Sequence, residues 1–101
     1  MEKSNEIGQR LIKQHLIKWY KAEQEQYDEA VKLRDDAEEL IAYMSLDRTL
    51  GRESKIEEPL EDVEGVYKFA DEWVNDIKEG LERLEKRYKE LTSRDIKEDL
   101  N

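Results

Sequence analysis

The chain has 101 residues, 45% of them charged and 37% hydrophobic, with 27 acidic against 18 basic side chains and a formal net charge of −9. The absence of cysteine, a single proline and four glycines exclude a disulfide scaffold, a cysteine-bearing zinc site, a thiol nucleophile and a Pro/Gly linker. This length gives one domain and excludes a large α/β enzyme with a deep pocket.

High charge with low hydrophobicity is also the composition of disordered chains. Here the charges are interleaved, and the apolar residues recur in steps of three and four. Trp19, Trp73, Phe69 and five tyrosines supply enough aromatic surface for a core. The expectation is an ordered, all-α chain. The opening residues Met1 to Glu6 lack the apolar core of a signal peptide, and no stretch has the length and apolarity of a membrane span. The expected location is the cytoplasm.

The first element is a helix over about residues 4–45, with Ser4 or Asn5 as N-cap. Glu, Lys, Gln, Ala and Leu dominate it, all good helix formers. Ile12, Leu16, Trp19, Glu23, Gln26, Ala30, Leu33, Ala37, Leu40 and Met44 alternate by four and three, which is a heptad seam. Glu23 and Gln26 are its polar positions and are expected to fix register. A ligating role for Glu23 needs a partner that the facing seam does not supply. Residues 46–58 form the loop, where Gly51 can take positive φ. Pro59 suits a first helical turn, and Glu57, Glu58, Glu61, Asp62 and Glu64 complement the helix dipole there.

The second helix is expected over about residues 59–92, followed by a tail, 93–101. Val63, Tyr67, Ala70, Val74, Ile77, Leu81, Leu84, Tyr88 and Leu91 form its seam without a polar interruption. Two long helices with a modest loop predict an antiparallel, coiled-coil-like hairpin. Facing residues have numbers that total 100, or 107 after a shift of one heptad, and both registers remain open. A second apolar set flanks the seams: Ile17, Tyr20, Tyr27, Val31 and Ile41 on the first helix, and Val66, Phe69 and Trp73 on the second. A stripe this wide exceeds a two-stranded seam. It predicts a homodimer, an elongated four-helix bundle whose interface includes the first-helix set.

Charge is unevenly placed. Residues 1–22 carry a net +3, residues 23–76 a net −12 and residues 77–101 a net of zero. In a hairpin, the acidic excess falls at the turn end. Glu57, Glu58, Glu61, Asp62, Glu64, Val66, Phe69, Asp71, Glu72 and Trp73 combine aromatic anchors with carboxylates, a composition suited to a basic protein partner. Nucleic-acid-binding proteins have such basic surfaces, and rows of carboxylates can occupy them in place of phosphate. Direct nucleic-acid binding is not expected from a field this negative. The functional expectation is a non-catalytic inhibitor or adaptor, a size and charge also found among small phage and mobile-element proteins. No catalytic residue, cofactor or metal ligand is assigned.

His15 is the only histidine and is expected on the surface, so no Ser/His/Asp arrangement can be built. One enzymatic alternative exists. Asp35/Glu38, Asp36/Glu39, Glu58/Glu61 and Glu61/Glu64 lie three residues apart, and this layout resembles the E-x-x-E … E-x-x-D pattern of the all-helical MazG-type pyrophosphatases. That resemblance implies Mg²⁺-dependent nucleotide pyrophosphate hydrolysis by converging helical carboxylates. In length, acidity and two-helix plan the chain is also similar to the WXG family of small secreted helical hairpins. Its turn departs from that family: Thr49-Leu50-Gly51 has no Trp two residues before the glycine. A purely structural assembly subunit is the remaining reading.

Overall fold

A computed structural model describes residues 2–53 and 55–100, with side chains from Glu6 onward. Two long helices, α1 (Glu2–Thr49) and α2 (Leu60–Thr92), pack against each other and are followed by a short 3-10 helix, Ile96–Asp99. There is no strand among the described residues, and the protein is an all-α hairpin. No described helix is long and apolar enough to cross a membrane.

α1 extends beyond the expected range at both ends. Its start at Glu2 precedes the expected caps Ser4 and Asn5, whose side chains lie outside the described set. Its end at Thr49 takes in residues 46–49, expected in the loop. The stop is a Schellman cap. Gly51 adopts φ +69°, its N–H donates to the Arg48 carbonyl, and the Arg52 N–H donates to the Asp47 carbonyl. These bonds satisfy carbonyls the helix leaves open, and positive φ at that position favours glycine. The Arg52 guanidinium adds an ion pair to the Asp47 carboxylate at 3.2 Å. Pro59 stands one residue before α2, where its carbonyl accepts from the Asp62 and Val63 N–H groups. Glu61 and Asp62 fill the first turn, the favourable end of the dipole for negative charge.

The chain forms two compact units. The terminal unit joins residues 1–27 to 77–101; the turn unit is residues 28–76. In the terminal unit, Leu16, Tyr20, Tyr88 and Ile96 form a buried cluster, with Leu81, Leu84, Leu91 and Leu100 against it. The tail is therefore part of the core. Ser93 turns it with φ 59° and donates its N–H to the Lys89 carbonyl, and Asp95 caps the 3-10 helix by accepting from the Lys97 N–H. In the turn unit, Ala30, Ala37 and Met44 from α1 and Val63, Ala70 and Val74 from α2 are buried.

The α2 seam is observed as expected, every one of its nine positions being buried or half-buried. The α1 seam is half right. Leu16, Glu23, Ala30, Ala37 and Met44, spaced by seven, face inward. The companion column is not Ile12, Trp19, Gln26, Leu33 and Leu40, all of which are exposed. It is the next residue in each case: Lys13, Tyr20, Tyr27, Arg34 and Ile41, all buried or half-buried. The polar tips of this column reach partners on α2 and in the tail. The Tyr20 hydroxyl donates to Glu85 at 2.6 Å, Arg34 pairs with Asp71 at 3.4 Å, and Lys13 pairs with Asp99 at 3.6 Å. A ring or an alkyl stem covers apolar surface while its head finds a charge, so a less apolar column can serve as a seam.

The register follows from this exchange. Tyr20–Glu85 in the terminal unit and Arg34–Asp71 in the turn unit have numbers totalling 105. The Glu23 carboxylate lies beside Gly80, for a total of 103. These side-chain contacts total between the two expected registers, 100 and 107.

Candidate protein-docking face

The turn unit concentrates the charge. Residues 28–76 hold 16 acidic and 6 basic side chains, a net of −10, against 11 acidic and 12 basic in the terminal unit, a net of +1. Within the turn unit a groove of about 290 Å³ lies between the helices. Leu33, Ala37 and Leu40 of α1, Val63 and Val66 of α2, and Ile56 of the connecting loop line it, with Asp36, Glu58 and Asp62 at its edges. The volume lies just below the range of about 300–1,000 Å³ usual for small-molecule sites. The Phe69 and Trp73 rings lie 6.1 Å apart and tilted by 37°, with Phe69 exposed and Trp73 half-buried.

The expected partner-binding residues divide into three groups. Glu58, Asp62 and Val66 line the groove, with Phe69 and Trp73 as a ring pair on α2. Glu57, Glu61, Glu64 and Glu72 are exposed but outside the lining. Asp71 is turned to Arg34. The sequence pattern assigns Leu33 and Leu40 to the hairpin seam and Asp36 to a spaced acidic pair, so none of the three is expected at a partner face. Of the set expected at a dimer interface, Tyr20 is 2% exposed and belongs to the core of a single chain. Ile17, Tyr27, Val31 and Ile41 are half-buried.

The terminal unit contains a polar clasp. Arg94 grips Asp99 through Nε and a second guanidinium nitrogen at 2.8–3.2 Å. The Tyr88 hydroxyl donates to the same carboxylate, and Lys97 pairs with Glu85 at 3.5 Å. These contacts hold the Asp99 carboxyl far below the usual range, Arg94 first and Tyr88 second. Burial, then the bond to Asp99, pushes Tyr88 up to about 12; burial, then Glu85, raises Tyr20 as well. Each shift favours the protonation state already present near neutrality, so the contacts that hold the tail keep their charged and protonated forms there.

The spaced acidic pairs Asp35/Glu38, Asp36/Glu39, Glu58/Glu61 and Glu61/Glu64 are all exposed. Among the described residues no three His, Asp or Glu side chains gather in a metal-holding group. His15 is exposed and tilts against Trp19 with ring centroids 5.8 Å apart. No protein-family model matches the chain, and neither a curated protein nor a solved structure is significantly similar to it.

Proposed function

We propose that the protein is a non-catalytic interaction module, an inhibitor or adaptor, whose turn unit docks a basic segment of a partner protein. The observation that carries this reading is an apolar groove edged by Asp36, Glu58 and Asp62 in a unit of net charge −10. Apolar lining gives a partner side chain a place to lose water, and carboxylates at the edge select and steer a positively charged approach. The partner segment is then an amphipathic one, apolar on the side that enters and Lys/Arg-rich on its flanks. A nucleic-acid-binding protein offers such segments. Exposed apolar side chains in both units also support self-association of hairpins.

The test is a fluorescence titration of Trp73, in a Trp19→Phe background, with an amphipathic helical peptide of leucine and lysine. Saturable binding that weakens steeply with salt, and is lost when Asp36, Glu58 and Asp62 are changed to Lys, supports the reading. Binding that ignores salt, or survives that charge reversal, refutes it.

A further inference from the structure

The hairpin leaves the more apolar of two candidate α1 columns uncovered. In the terminal unit, Ile12 and Trp19 are 47% and 56% exposed; in the turn unit, Leu33 and Leu40 are 36% and 39% exposed. A run of large apolar side chains at seven-residue spacing is what a second helix packs against. Charge decides which surface can supply that helix. Turn unit on turn unit sets a net −10 against a net −10. The terminal unit, at +1, carries no such penalty, and its residues 1–22 hold five basic side chains against two acidic. The seven-residue step of Ile12 and Trp19 equals that of Leu33 and Leu40, so both knobs can enter the groove in register.

We propose that the α1 face of the terminal unit of one copy, carrying Ile12 and Trp19, seats in the Leu33–Leu40–Val66 groove of a second copy. Self-association then masks the docking groove, and a basic partner must displace the second copy to bind. This regulation rests on the groove reading above, while the contact itself is testable with no partner present.

The experiment is sedimentation velocity of the full chain over a micromolar concentration range, with Trp19→Glu and Leu40→Glu variants alone and mixed. Both residues are more than a third exposed, so the hairpin core is spared, and circular dichroism checks helicity. Trp19→Ala and Leu40→Gln replace any variant that loses it. The wild type is expected to associate, less so at high salt, and each variant alone to associate at least about tenfold more weakly. A mixture of the two variants is expected to regain association, because one copy keeps its knobs and the other its groove. A wild type that stays monomeric, association indifferent to either substitution, or a mixture no more associated than its components overturns the proposal. Those outcomes leave the basic-partner titration unaffected, since that experiment reads a different complex.

Discussion

At the scale of single residues, the terminal unit depends on side chains that the helical period does not mark. Ile96 lies in the tail beyond both seams, yet it is fully buried against Leu16, Tyr20 and Tyr88. Ile96→Ala leaves a cavity in that cluster and is expected to cost about 2–4 kcal/mol, read from urea unfolding. The Asp99 carboxyl is stabilised in its charged form by Arg94 and Tyr88. Its native pKa lies below the unfolded value of about 3.9, so its contribution is complete above that pH and is lost as pH falls towards the lower native value. Thermal melts of the wild type should therefore drop between pH 5 and pH 2 (roughly the window in which carboxylates take up protons). Asp99→Asn should be less stable at neutral pH and show a shallower acid dependence. An equally steep decline in the variant would place the acid sensitivity elsewhere.

At the scale of elements, the tail and the glycines make separate expectations. Removing residues 93–101 uncovers Leu16, Tyr20 and Tyr88, and hydrogen exchange should rise at the ends of α1 and α2 that form the terminal unit. Gly65 has open space where a Cβ would be, and at Gly80 the nearest atom is Glu23 Oε2 at 3.5 Å, an ordinary contact. Alanine at either position should raise stability by about 1 kcal/mol through helix propensity. Alanine at Gly51, held at φ +69°, should lower it. The α2 seam was readable from the sequence because its apolar residues occupy both columns. On α1 the shared column Leu16, Glu23, Ala30, Ala37 and Met44 was also readable. Its companion was not, because Ile12–Trp19–Leu33–Leu40 and Lys13–Tyr20–Arg34–Ile41 flank that shared column on opposite sides. Hydropathy favours the first set. The hairpin takes the second because Tyr20, Arg34 and Lys13 each find a charge on a distant segment, a partner that no local pattern reveals. The same misplacement hid Leu33 and Leu40 from the candidate site, while Glu58, Asp62 and Val66 were legible from charge and aromatic clustering alone.

At the scale of the molecule, charge sets two salt responses of opposite sign. The turn unit carries −10 in 49 residues, so its own carboxylates repel one another and screening by salt relieves that repulsion. The terminal unit is near neutral and is fastened by opposite charges, Arg94–Asp99, Lys13–Asp99 and Lys97–Glu85, and screening weakens such partly exposed pairs. Raising salt should therefore slow amide exchange in residues 28–76 and leave it unchanged or faster in residues 77–100. Over the same range, affinity for a basic peptide should fall, because the carboxylates that repel one another are the ones that attract it. Hydrogen exchange by mass spectrometry at low and high salt, beside the fluorescence titration, reads both quantities on the same protein. Parallel responses in the two units would mean that the acidic excess is dispersed by solvent and ions and does not act as a field at the groove. Opposed responses, with affinity falling as turn-unit protection rises, would mean that the turn unit accepts self-repulsion in exchange for the capacity to attract a cationic partner.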